Sequence, residues 1–69
     1  MSLSTTIATR RKTLGISQND LAEMSGVSLA TIKNIERGVV NPSFETVEKI
    51  LSVLGMEIFF KVRNPFDKQ

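Results

Sequence analysis

About twenty residues, from Gln18 to Arg37, constrain this chain more than any others. They carry start and stop signals for two short helices with a tight turn between them. Ser17 precedes the first helix and Asp20 follows three residues later, a capping box with Asp in place of the usual Glu or Gln. Gly26 is placed to end that helix, because a left-handed backbone costs glycine nothing. Ser28 is placed to cap the second helix and Gly38 to close it. Between these signals Leu21 and Ala22 share the inner face of the first helix, Val27 plugs the turn, and Ile32 and Ile35 face inward from the second. Ala22 is small where two helices must cross closely.

Helices held this way form a helix-turn-helix. The rest of the chain surrounds it with further helices. Gly15, Gly26, Gly38 and Gly55 each follow a segment of helical periodicity, and four such ends imply four helices. The first is expected over about Ser4 to Leu14, with Ile7 and Leu14 on its inner face. Arg11 falls on that same face, four residues after Ile7 and three before Leu14. A charge on an apolar stripe requires a partner. Glu36, four residues after Ile32 on the inward face of the third helix, is the candidate, and an Arg11–Glu36 ion pair is expected to tie helix one to helix three. The competing reading is two snorkelling surface side chains. Pro42 holds Asn41 extended in the loop Val39–Pro42. Ser43 then caps a fourth helix whose buried stripe is Phe44, Val47, Ile50, Leu51 and Leu54. Glu45 and Lys49 are spaced to pair on its exposed side.

After Gly55 the period changes from helical to two. Met56, Ile58, Phe60 and Val62 alternate with Glu57, Phe59, Lys61 and Arg63, which predicts a strand over 56–63. No other segment reads as a strand, and a lone strand leaves its backbone groups unpaired. Pairing with the same strand of a second copy, antiparallel about a two-fold axis, resolves this. Met56, Ile58, Phe59, Phe60 and Val62 would then form the dimer contact. A fifth short helix, or an extended tail packed on its own domain, are the alternatives. Residues 64–69 read as a loose tail. The expectation is therefore one domain over 1–69, all-α, with a four-helix part over 4–55 and a C-terminal dimerisation strand over 56–63.

With 69 residues the chain has a small core. Roughly 60% of the surface of so short a chain leaves water on folding, so association is a common remedy. There is no cysteine and no histidine. Disulfides, thiolate metal sites, a thiol nucleophile and the commonest general base are thereby excluded. No glycine-rich phosphate loop is present, and Glu45 and Glu48 have no partner group, so no catalytic residue, metal ligand or cofactor is assigned and an enzyme is not expected. No apolar run reaches the roughly 20 residues needed to span a membrane, and a cytoplasmic location is the expectation. Nine basic residues against seven acidic ones give a net charge of +2, a mild excess whose distribution matters more than its total. Arg10, Arg11 and Lys12 form one basic cluster and Lys33 with Arg37 another; solvated helix faces are the plainer reading of both.

Gln18, Leu21, Ala22, Gly26, Val27, Ile32, Ile35, Glu36, Gly38 and Pro42 resemble the pattern of the phage-repressor, or XRE, family of DNA-binding domains. The resemblance runs over about residues 7–55. Ser25 departs from it, standing where the family usually has an apolar residue. The resemblance implies that the second helix of the motif lies in the DNA major groove while the first crosses the backbone above it. It assigns Gln18, at the amino end of that first helix, to a phosphate; a solvent-exposed helix start is the alternative. Ser28, Leu29 and Ala30 would reach base edges, and Lys33 would read guanine or touch phosphate. Thr31, Asn34 and Arg37 are the better candidates for phosphates. Leu29 meets a thymine methyl or else points into the core. With few bidentate readers on this helix, discrimination would depend partly on DNA shape. A dimer would present two such helices to half-sites roughly 34 Å apart in an inverted repeat.

Two roles follow from the resemblance. One is a stand-alone dimeric repressor. The other is the antitoxin half of a toxin–antitoxin pair that represses its own operon. The short chain ending in Leu54-Gly-Met-Glu-Ile-Phe-Phe-Lys-Val62 resembles HipB-like antitoxins, which pair one such strand across a dimer and hold a HipA-like kinase inactive. A third reading, from another class, is a protein-interaction module that uses this fold without DNA.

Overall fold

A computed structural model of the chain describes residues 2–66. Its four helices are α1 (Leu3–Thr13), α2 (Gln18–Ser25), α3 (Leu29–Glu36) and α4 (Phe44–Val53). Each begins with the same device. Ser2, Ser17, Ser28 and Ser43 are extended, and each hydroxyl accepts the backbone N–H three residues on. Ser17 and Asp20 complete a reciprocal capping box: Ser17 Oγ accepts from Asp20 N at 2.9 Å and Asp20 Oδ2 accepts from Ser17 N at 3.0 Å. The Ser17 backbone N–H, and after it the Ser17 hydroxyl, hold the Asp20 carboxyl below its ordinary pKa.

Three of the four helix ends share one pattern. After α1, Gly15 N donates to Lys12 O and Ile16 N to Arg11 O, a Schellman motif. The same pair of bonds closes α3 through Gly38 and Val39, and α4 through Gly55 and Met56. The end of α2 differs. Gly26, at φ 75°, makes the single bond to Ala22 O that defines the simpler left-handed cap. That leaves the Val27 N–H without a carbonyl, and Ser25 Oγ accepts it at 3.2 Å while donating to Ala22 O at 3.4 Å. Ser25 therefore supplies a backbone bond in the tight turn, which an apolar residue at this position does not.

The core is Ile7, Leu21, Ala22, Ile32, Ile35, Val47, Ile50, Leu51 and Leu54. Helix α3 packs on both α1 and α2, and α4 packs on α2. Val27, Leu29 and Ile16 cover the edge of this core. Arg10 Nε donates to Leu54 O at 2.9 Å, fastening α1 to the last turn of α4, where a cation also meets the negative end of the helix dipole.

Several expectations need correction. Helix α1 begins one residue earlier, at Leu3, because Ser2 caps it. Leu14 is 43% exposed and does not extend the inner face of α1, since the helix has already ended at Thr13. Phe44 is 52% exposed and lies outside the buried stripe of α4. As the first residue of that helix it precedes the turns that pack, and it stacks on Phe60 instead, with ring centroids 6.2 Å apart and planes at 21°. The strand expected over 56–63 is not formed: these residues have no regular secondary structure, and among the described residues no strand edge is present for them to pair with. Its first half lies against the domain, with Met56 and Ile58 packed on the core. In its second half Phe59, Phe60 and Val62 are 78%, 85% and 95% exposed. Of the tail, Asn64 Oδ1 accepts from Phe66 N at 2.9 Å, and residues 67–69 lie outside the described residues.

Candidate nucleic-acid interface

The sequence places the candidate DNA contacts on α3 and at the start of α2. Their geometry depends on a polar cluster beneath them. Arg11 and Glu36 meet in a two-pronged ion pair, with Nε to Oε2 at 2.7 Å and Nη2 to Oε1 at 2.9 Å. Their side chains are 11% and 7% exposed. Arg11 Nη1 also donates to Ile16 O at 2.9 Å, so one guanidinium holds the chain leaving α1 as well as the end of α3. Gln18 Nε2 donates to Glu36 Oε1 at 3.1 Å, which brings the first residue of α2 into the same cluster. Three helices are thus locked by one carboxylate.

Burial pushes the Glu36 carboxyl up. Hydrogen bonds from Arg11 and Gln18, with the charges of Arg11 and Lys12, outweigh it and hold the carboxyl below its ordinary value. The hydrogen bond to Glu36 raises Arg11 against the opposing effect of burial. Among the described residues no buried side-chain polar atom lacks a partner. A charged cluster of this kind is tolerable inside a small domain only when it is so satisfied.

On α3 the candidate contacts fall into two groups. Ala30, Lys33 and Arg37 are exposed. Ser28 is also exposed, but its hydroxyl accepts from Thr31 N at 3.1 Å and donates to Thr31 Oγ1 at 2.7 Å, so it is engaged within the cap. Thr31 and Asn34 are half-buried. Leu29 is half-buried and packed against the core, so its side chain is divided between interior and surface. Gln18 is half-buried, with one amide N–H directed at Glu36 and the second uncommitted.

The basic clusters divide as well. Arg10 is engaged on the Leu54 carbonyl and Arg11 on Glu36, leaving Lys12 as the exposed member of the first. No local signal announces the Arg10 bond, whose partner lies 44 positions away. The place of Gln18 beside Glu36 depends on how α2 crosses α3, which spacing along one helix does not reveal. Glu45 and Lys49 approach to 3.4 Å on the solvent side of α4. Among the described residues no three acidic side chains converge as metal ligands, and no helix is long and apolar enough to cross a membrane.

A family model described as helix-turn-helix matches residues 7–60. An uncharacterised helix-turn-helix-type transcriptional regulator of Haemophilus influenzae is 47% identical over 49 residues, covering 71% of this chain and 50% of the relative. The transcriptional regulator PuuR of Escherichia coli is 36% identical over 62 residues, covering 86% of this chain and 34% of the relative. A further uncharacterised regulator of this type, from Methanothermobacter thermautotrophicus, is 40% identical over 55 residues, 80% of either chain. The chain therefore spans 50% of the first of these relatives and 34% of the second.

Proposed function

The chain belongs to the helix-turn-helix family of XRE-type transcriptional regulators, and on that premise we propose that it is a sequence-specific repressor of its own promoter, the antitoxin of a toxin–antitoxin operon. It acts in the cytoplasm as a dimer on an inverted repeat. Helix α3 enters the major groove. Ser28, Leu29 and Ala30 lie nearest the base edges, and Lys33 reaches guanine or phosphate. Thr31, Asn34 and Arg37 meet phosphates, and Gln18 gives its uncommitted amide N–H to another. The observation that carries the DNA reading is the exposed face of Ala30, Lys33 and Arg37 on a helix fixed from behind by the Arg11–Glu36–Gln18 cluster.

Binding to a duplex of the DNA upstream of its own gene tests this. Lys33→Glu should weaken that binding by about ten-fold or more while leaving the melting temperature unchanged. Unchanged affinity would remove α3 from the interface, and a protein that ignores DNA altogether would leave the interaction-module reading.

The antitoxin role rests on the similarity of the C-terminal segment to HipB-like proteins and on its exposed apolar side chains. Met56, Ile58, Phe59, Phe60 and Val62 form the dimer contact, and a HipA-like kinase is the partner. A second reading, a stand-alone dimeric repressor, is favoured by the relatives, which are named as transcriptional regulators. Isolation of the protein from its own cells after nuclease treatment separates the two. A stoichiometric kinase-like companion supports the antitoxin, and its absence leaves the repressor.

A further inference from the structure

The C-terminal segment carries a pattern that specifies how two copies join. We propose that residues 56–62 of two copies pair antiparallel in the single register that sets Phe59 opposite Phe59 on the two-fold axis. The inference rests on the dimer proposed above and deepens it.

Residues directly opposite each other in an antiparallel pair lie on the same face of the sheet. A two-fold axis therefore permits only registers that differ in steps of two, because a one-residue slip turns each side chain to the other face. With Phe59 on the axis, Met56 faces the partner's Val62, Ile58 faces the partner's Phe60, and Glu57 faces the partner's Lys61. Each apolar residue meets an apolar one and each charge meets its opposite, twice over by symmetry. Moving the axis to Ile58 sets Glu57 against Phe59, and moving it to Phe60 sets Lys61 against Phe59. The first shift sets a carboxylate against a ring on both sides of the axis. The second lets Glu57 meet Arg63 but leaves Met56 opposite Asn64 and Lys61 without a carboxylate, so only the Phe59 register matches every pair over 56–62.

The folded domain meets this register halfway. Met56 and Ile58 already lie on the core, and once the segment pairs as a strand a period of two puts Phe60 and Val62, 85% and 95% exposed, on their face. Beside Met56 and Ile58 runs a groove of about 410 Å³, lined also by Leu51, Ser52, Glu48 and Glu57. In the proposed register the partner's Phe60 and Val62 come to rest beside Ile58 and Met56 at this groove. Its acidic rim receives the partner's Lys61. The two most exposed apolar side chains of the segment's inner face are thereby covered, and backbone groups beyond Met56, whose N–H is already held by Leu51 O, gain partners across the ladder.

The chain has no cysteine, so single cysteines report the register directly. The full-length protein would be prepared as Ile58→Cys, Phe59→Cys and Phe60→Cys, each of which links to its own copy in only one register. Sedimentation should show a wild-type dimer, and mild oxidation should convert Phe59→Cys, and neither of the others, to a disulfide dimer. Linking at Ile58→Cys or Phe60→Cys instead would overturn the register while sparing the dimer. A wild type that sediments as a monomer would overturn the dimer itself, and the register with it. As a second measurement, Glu57→Lys should weaken association by about ten-fold, and adding Lys61→Glu should restore it. Failure of the second change to restore association counts against the register.

Discussion

The two polar or exposed regions that make this domain more than a helical core are opposites in one respect. The Arg11–Glu36 pair at the centre of the polar cluster is nearly closed to water, and each of its charges finds its partner within the chain. The segment 59–62 is open to water, and its apolar side chains and backbone groups find little within the chain beyond the stacking of Phe60 on Phe44. The first region is finished by folding. The second is left open by folding. Side chains of the first should therefore control stability, and side chains of the second should control association with little effect on stability.

The largest expected effect lies in the cluster. Glu36→Ala leaves the Arg11 guanidinium charged, largely buried and short of two hydrogen bonds, at a cost of about 3 kcal/mol. For a domain of this size that lowers the melting temperature by about 12 °C or more. Thermal denaturation of Arg11→Ala, Glu36→Ala and the double variant should show strong coupling. Additive losses would mean that the pair is no more than two surface charges.

The same carboxylate sets a pH dependence. Its pKa is lower in the folded protein than its ordinary value of 4.5, so the unfolded chain takes up a proton first. The stability it contributes is fully present above that ordinary value. It is lost as the pH falls through the lower, folded value. Denaturant titrations across acid pH should show this decline, and Glu36→Gln should flatten it.

A smaller effect is expected at the tight turn. Gly26 is at φ 75°, and a Cβ there would meet nothing within 4 Å, so Gly26→Ala is opposed by backbone conformation alone. A loss of about 1 kcal/mol follows, and a loss several times larger would reveal a steric clash. The smallest effect belongs to the open segment. Val62→Ser, at 95% exposure, should shift monomer stability by less than about 0.5 kcal/mol. A loss comparable to that of Glu36→Ala would erase the distinction between the two regions.

How much of this was legible beforehand follows the range of the forces involved. Capping of α2 by Ser17 and Asp20 is a matter of three residues, and the left-handed end at Gly26 of one. Leu21, Ile32 and Ile50 are buried where a 3.6-residue period places them. The same period failed at its margins. Leu14 and Phe44 continue the apolar stripes of their helices in sequence, yet Leu14 lies past the last turn of α1 and Phe44 lies ahead of the packed turns of α4. Ser25 departs from the apolar residue of the family pattern, and only the structure shows that its hydroxyl accepts the Val27 N–H.

By itself, then, the order of residues determined four helices, the ends of all but the first, the helix-turn-helix between Gln18 and Arg37, and the inward placement of Arg11 and Glu36. Each depends on hydrogen bonds or periodicities that span a few residues. Only the tertiary structure decided that Arg10 holds the Leu54 carbonyl, that Gln18 joins Glu36, and that Met56 and Ile58 lie on the core while Phe60 and Val62 do not. Those outcomes depend on the angles at which helices cross and on whether a strand finds an edge, and both are properties of the assembled surface.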